Sequence, residues 1–213
     1  MFLREKITKF PIQKGVFMVI GEIALIRTGI VVSRLKNDKT KPHDSRYRLL
    51  NLKSVADDGR IISNYIEESL LPYIEKEDFF TQMGDILVKL SAPYTAVIIK
   101  DKEHCGLLIP SHFAVIRVDK TKVVPEYVYW LLKRDKNLGR IILSSSGSTA
   151  LGTISSGALA NLPMKFVPMR KQKAIGELLL LMEREQELLN KLSAQKEQFM
   201  KLSLEKIYNE ETR

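Results

Sequence analysis

Cysteine is almost missing from this 213-residue chain. The single residue, Cys105, excludes an internal disulfide framework and a thiolate-cluster zinc site. Histidine is scarce as well, and His43, His104 and His112 leave little material for a metal centre. No run of about 18 apolar residues occurs, so no membrane-spanning helix is expected. The opening Met1–Lys6 lacks the apolar core of a signal peptide, and a cytoplasmic location is the default expectation. Glycine loops for phosphates are missing too. Gly147 and Gly152 have Walker spacing, but Thr153-Ile154 stands where the Lys-Ser/Thr pair would neutralise and ligate. No Gly-x-Gly-x-x-Gly fingerprint exists, which argues against a dinucleotide site and removes the usual glycine loop for S-adenosylmethionine.

What is present is apolar material and positive charge. Hydrophobic residues make up 45% and charged residues 28%, enough for a buried core. The length fits one sizeable domain plus an appendage, or two small domains. The net charge is +9 and is unevenly spread. Residues 1–54 hold 12 basic and 4 acidic side chains, and residues 121–170 hold 7 and 2. Residues 55–120 are acidic, with 7 and 11, and residues 171–213 are balanced, with 8 of each. The densest basic run passes through Arg34, Lys36, Lys39, Lys41, Arg46, Arg48 and Lys53. Its interruptions are loop residues, and a basic loop suits a polyanion because neutralised phosphates release counterions. A solvated lysine-rich loop is the plainer alternative.

The patterning predicts a mainly β region with scattered helices. A helix is expected over Val16–Thr28, with Ile20, Ile23 and Ala24 periodic and Gly29 as its stop. Short strands are expected at Tyr47–Leu52, Arg60–Ile62, Ile86–Leu90, Tyr94–Lys100, Phe113–Val118 and Asn161–Val167. Pro125–Arg134 changes period and reads as an amphipathic helix with proline in its first turn. From Lys171 to Tyr208 there is no proline and one glycine, Gly176. A helix there would be on the order of 55 Å long, more than the preceding domain can cover. Its apolar stripe is Ile175, Leu178, Met182, Leu189, Leu192, Phe199 and Leu202, broken by Glu185-Gln186 and Gln195-Lys196. The broken heptad favours pairing with another helix, and the alternative is a helix lying flat on its own domain.

No catalytic constellation emerges. Ser91-Ala92-Pro93-Tyr94 approaches the Ser/Asn/Asp-Pro-Pro-aromatic motif of amino-methyltransferases, but the second position is alanine and no cofactor loop precedes it. Asp57-Asp58 and Glu67-Glu68 read as a turn and a solvated face, because neighbouring acids diverge on most backbones. No nucleophile, base and orienting residue can be assembled.

An ordered set of segments resembles a known family. Gly84-Asp85-Ile86-Leu87 is similar to the GDIL segment of target recognition domains. These domains belong to the specificity subunits of type I restriction–modification systems. Ile109-Pro110-Ser111-His112-Phe113-Ala114, Pro125–Leu131, Ser146-Gly147-Ser148, Leu162-Pro163-Met164 and Gln172–Ile175 follow in similar order, and Ile23–Gly29 resembles the opening of such a domain. The resemblance implies an α+β fold: a mixed-sheet DNA target recognition domain over residues 1–170, then a long C-terminal helix, a coiled-coil spacer arm, over residues 171–213. It implies a non-catalytic subunit that reads one half of a split site in double-stranded DNA. The arm would dock methyltransferase subunits, which carry S-adenosylmethionine and bring in the restriction subunit. Full members have two recognition domains and two spacer helices. This chain shows one of each, so it resembles a half subunit that pairs with itself, or a truncated or recombination-donor copy.

On that reading the DNA-contact candidates are Arg34, Lys36, Lys39, Arg46 and Arg48, with Lys89, Ser91 and Tyr94 at the end of the GDIL strand. Ser146, Ser148 and Thr149 offer hydroxyls and N–H groups to phosphate, unless that tract is simply a linker. Tyr94 is equally a core tyrosine. Arginine can pair in a bidentate manner with guanine, and lysine anchors phosphates. The helix-pairing candidates are the seven stripe residues named above. A nucleic-acid-binding regulator without a methyltransferase partner, or a protein-interaction scaffold, are the other readings.

Overall fold

The computed structural model describes residues 16–74, 76–92, 94–134, 138–139 and 153–210. At its centre is a four-stranded antiparallel sheet in the order β2-β7-β5-β6. These strands are β2 (Ala24–Thr28), β5 (Ile86–Lys89), β6 (Ala96–Ile98) and β7 (Phe113–Val118). β5, β6 and β7 are apolar, and all but Lys89 and Arg117 of their residues are buried apolar side chains. Alternation then divides them between two cores. Ile86, Val88, Ile98, Ala114 and Ile116 face one cluster, together with Tyr127, Val128 and Leu131 of helix α2 (Pro125–Lys133). Leu87, Val97, Phe113 and Val115 face the other, closed by Leu50, Val55, Ile99, Leu107 and Ile109.

Two smaller sheets flank the centre. β1 (Val16–Val19) pairs antiparallel with β8 (Pro163–Phe166). β3 (Ser45–Leu49) pairs antiparallel with β4 (Glu67–Leu71), forming a two-stranded ribbon. The ribbon's inner face packs on a third cluster of Leu49, Leu71 and Leu108, joined by Leu35 of the short helix α1 (Val32–Lys36). A second short helix, α3 (Ser156–Ala160), is capped by the Ser155 hydroxyl, which accepts from the Ala158 N–H at 3.0 Å.

The helix expected over Val16–Thr28 is not formed. That segment is β1, a single 3-10 turn at Ile20–Glu22, and β2. Ile20, Ile23 and Ala24 do reach the core, but pairing with β8 and β7 supplies backbone partners and overrides a short helical spacing. Gly29 is therefore no helix stop. It lets the chain pass against Ile109 and Pro110, whose carbonyl oxygens would lie 2.2 and 2.4 Å from an added Cβ. The strand expected at Arg60–Ile62 is reduced to one bridge, Val55 to Ile61. The other expected strands form within their predicted spans or shifted at the ends.

The long helix α4 spans Met169–Glu210. Its first turns dock on α2. Gln172 is buried, accepts from the Val124 N–H at 3.0 Å and donates to the Val167 carbonyl at 2.8 Å. Gly176 permits the closest approach, since a Cβ there would sit 2.8 Å from the Glu126 Cβ. Ile175 and Leu179 pack on the core. The outermost docking residue is Glu183. Its Oε1 accepts from the Tyr129 hydroxyl and the Lys133 Nζ, each at 2.9 Å, and its Oε2 faces the Lys100 Nζ at 3.3 Å. Lys133 also donates to the Asp58 carbonyl at 3.1 Å, tying the 57–60 turn to the same point.

Burial raises the Glu183 carboxyl, but Lys133, Tyr129 and Lys100 together outweigh it and hold the group below its ordinary value. Burial, with the Glu183 charge beside it, pushes the Tyr129 phenol up. A depressed carboxyl stabilises above its unfolded value, and that contribution is lost as pH falls through the folded value. The anchor is therefore complete at neutral pH and weakens below about pH 4.5. Glu183→Gln is expected to remove about 2 kcal/mol of docking at pH 7. Amide protection factors over residues 172–183 check it: lower protection in the variant at pH 7, and a smaller further loss of protection on acidification than in the wild type. Equal protection in both proteins would contradict the anchor.

Candidate nucleic-acid interface

The basic segment forms one surface unit on the third cluster. α1 exposes Arg34 and Lys36, and Lys39 is exposed in the turn that follows. The Asp38 carboxylate in that turn is occupied by the Thr40 hydroxyl and N–H, which hold it below the usual carboxylate range. The His43 ring closes the loop, with Nε2 at 2.8 Å from the Leu35 carbonyl oxygen.

β3 then alternates. Tyr47 and Leu49 turn inward, where Tyr47 stacks on Phe80 at 5.6 Å and its hydroxyl accepts from the Ile74 N–H at 2.9 Å. Arg46 and Arg48 turn outward. Register places Arg46 opposite Leu70 and Arg48 opposite Glu68. The Arg46 Nη1 is 3.6 Å from the Glu68 carboxylate, both side chains well exposed, and the Arg48 Nη1 donates to the Glu103 carbonyl at 3.0 Å. Five of the sequence candidates, Arg34, Lys36, Lys39, Arg46 and Arg48, thus share this unit.

Lys89, Ser91 and Tyr94 do not join them. Lys89 is buried, contrary to the expectation of a DNA contact. It ends a strand paired on both sides, its side chain shares the inner face with Phe113, and its Nζ lies 3.8 Å from an Asp57 carboxylate oxygen. Ser91 is half-buried, and Tyr94 packs half-buried against the first core cluster, the core role that its sequence left open. Ser146, Ser148 and Thr149 lie outside the described residues.

The helix stripe also divides. Ile175 belongs to the docking face rather than to a free pairing face, because its side chain packs on the chain's own core. Leu178, Met182, Leu189, Leu192, Phe199 and Leu202 are each more than half exposed. From Arg184 to Asn209 the side chains are exposed except for Glu187 and Ser203, which are half-buried. Both bond within the helix: Glu187 with Arg184 and Lys191, and Ser203 with the Phe199 carbonyl.

Sequence reasoning missed an ion-pair ladder behind the interface. Asp85 is almost fully buried, and both its oxygens accept from Arg117, at 2.8 and 2.7 Å. Arg117 also faces Asp78 at 3.3 Å, and Arg27 reaches Asp78 at 2.6 Å. The Arg27 hydrogen bond, with the charges of both arginines, holds the Asp78 carboxyl below its usual range. A signal existed: Arg117 is the only charge inside the apolar Phe113–Val118 run, and a buried strand must pair such a charge. Gly84, at φ 86°, makes the turn that aims Asp85 inward, so the GDIL segment has a structural reason. Among the described residues, no group of three or more His, Cys, Asp or Glu side chains is placed to hold a metal ion.

The family profile of the type I restriction modification DNA specificity domain matches residues 16–198. The chain belongs to that family. The specificity domain runs from β1 well into α4, so the profile takes in both the sheets and the helix. Solved structures share the fold. One comes from work on complex assembly and conformational transition of the type I restriction–modification system. It superposes with a TM-score of 0.62 at 18% identity, over 84% of this chain and 45% of that one. The HsdS subunit of Thermoanaerobacter tengcongensis gives 0.61 at 18%, over 86% and 46%. The S subunit of the M. genitalium type I system gives 0.54 at 14%, over 86% and 43%. The chain spans slightly less than half the length of these proteins. No curated protein sequence matches it. No described helix of this specificity domain is long and apolar enough to cross a membrane.

Proposed function

We propose that this chain is a DNA-recognition specificity subunit of a type I restriction–modification system, working in the cytoplasm without chemistry of its own. Residues 1–170 form the target recognition domain and read one half of a bipartite site in double-stranded DNA. Residues 171–213 form the spacer arm. The arm pairs with a second copy and docks methyltransferase subunits, which bind S-adenosylmethionine and recruit the restriction subunit.

The observation that carries this reading is the pairing of a basic surface unit with a helix that outruns its own domain. From Glu183 to Glu210 the helix extends about 40 Å, with Leu189, Leu192, Phe199 and Leu202 exposed along it. A solvated helix would not keep such a row, and burying it against another helix removes apolar surface from water. Lys36 and Lys39 suit phosphates as point charges, and the arginines suit bidentate contacts.

The test is co-expression with the type I methyltransferase subunit of the same organism. The two are expected to purify together, with two copies of this chain per complex by sedimentation. Leu189→Glu with Leu192→Glu is expected to dissolve the complex while the melting temperature of the chain stays within a few degrees. Separate elution of the wild-type chain and the methyltransferase would overturn the docking role, and one copy per complex would overturn self-pairing.

A further inference from the structure

The outward row of the β3–β4 ribbon has a composition that phosphate binding does not account for. It comprises Arg46 and Arg48 on one strand and Glu68 and Leu70 on the other. A carboxylate beside the leading arginine repels phosphate, and an exposed leucine offers it nothing. The edge of a base pair in the major groove presents what this row can use. Guanine offers two acceptors to an arginine, cytosine an amino donor to a carboxylate, and thymine a methyl group to an apolar side chain.

The dimensions agree. Two paired strands are about 5 Å apart, a five-residue strand is about 17 Å long, and the major groove is about 12 Å wide and admits a two-stranded ribbon. The ribbon is also held for presentation. Tyr47, Leu49 and Leu71 fix its inner face, and the Leu50 N–H donates to the Leu108 carbonyl at 3.1 Å, pinning one end to the core. Three of the four outer side chains are open to a ligand: Arg46 and Glu68 are exposed and 3.6 Å apart, and Leu70 is 55% exposed, while Arg48 is held by the Glu103 carbonyl. Charge is complementary, because residues 31–48 carry six basic and two acidic side chains.

We propose that this row enters the major groove and reads a G·C pair, Arg46 on the guanine edge and Glu68 on the cytosine amino group, with Leu70 against a neighbouring thymine methyl. This rests on the DNA-reading function proposed above, and assigns base readout to the ribbon and phosphate contact to α1 and its turn. The Arg46–Glu68 pair of the free protein is a resting arrangement that opens as each partner takes its own base.

The test is selection by the full chain from a pool of duplexes with a randomised centre, followed by binding to the enriched duplex across salt. The wild type is expected to enrich a motif. Arg46→Ala, Arg46→Lys and Glu68→Ala are each expected to lose about tenfold in preference at one shared G·C position and to keep the rest of the motif. Lys36→Ala with Lys39→Ala is expected to weaken binding to all sequences, reduce the salt slope and leave the motif unchanged. These exposed substitutions should leave the thermal melt in place, which separates lost readout from lost fold. The same motif at the same strength in Arg46→Ala and Glu68→Ala overturns the ribbon assignment alone. A wild-type chain that enriches nothing overturns the DNA-reading function, and the ribbon with it.

Discussion

Asp85→Ala is expected to lower the unfolding free energy by about 3 kcal/mol, the low end of the cost of breaking a buried ion pair, because Arg117 is itself 21% exposed. Arg117 donates to both Asp85 oxygens, and the Asp85 side chain is 2% exposed, so no water replaces the lost acceptor cheaply. Asp85 also accepts from the Gln82 N–H at 2.8 Å, so the turn before β5 loses a partner too. Arg117 would keep only Asp78, at 3.3 Å, and the Phe80 carbonyl, at 3.1 Å. Urea denaturation of Asp85→Ala, Arg117→Ala and the double variant measures the pair. The double variant should cost clearly less than the two single costs added, because removing both charges leaves neither stranded. Strict additivity would mean that the pair contributes nothing as a pair.

Gly29→Ala is expected to cost about 3 kcal/mol, at the upper end for overpacking. The added Cβ would meet two backbone carbonyl oxygens at 2.2 and 2.4 Å, and a third backbone atom, the Ile109 carbonyl carbon, at 2.6 Å. Backbone cannot swing aside as a side-chain end can. Here it is also bonded in place: the Gly29 N–H donates to the Phe113 carbonyl at 3.0 Å, and the Ile30 N–H to the Ile109 carbonyl at 2.8 Å. Moving it would disturb β7 and the entry to the basic unit together. Gly157→Ala is the control, since the nearest atom to its Cβ is the Ser155 hydroxyl at 3.9 Å. It lies in α3, where alanine is favoured over glycine by up to about 1 kcal/mol. Thermal melts of the two variants should therefore move in opposite directions, and equal melts would contradict the close approach at Gly29.

Period and length made part of this fold legible. Phe113–Val118 and Ile86–Lys89 are continuous apolar runs bounded by turn residues, and Pro125–Lys133 and α4 carry helical spacing over several turns. The Val16–Thr28 segment was misleading because two or three apolar residues at helical spacing also fit a strand, a turn and a strand. β4 was invisible because Glu67 and Glu68 read as a solvated face. They are tolerated there since β4 has a single pairing partner and an open outer side. At the interface, Arg46 and Arg48 are readable as members of a dense basic run, whose loop-like interruptions conceal that it forms a short helix and a strand. Lys89 is not, because a lysine closing a strand looks exposed until the remote Asp57 is brought beside it. Ile175 was misplaced for a related reason. A docking stripe and a pairing stripe have the same period, and only the partner distinguishes them.

The point at which α4 leaves its domain sets a tolerance. The docking residues end at Glu183, and about 40 Å of helix continues to Glu210. Such a rod magnifies angle into distance: a tilt of about 10° at the anchor moves the far end by about 7 Å, two base-pair steps along a duplex. Whatever the far end holds is therefore positioned only as well as the short docked stretch from Gln172 to Glu183 is held, and its outermost fixing point is one carboxylate shared by Tyr129, Lys133 and Lys100.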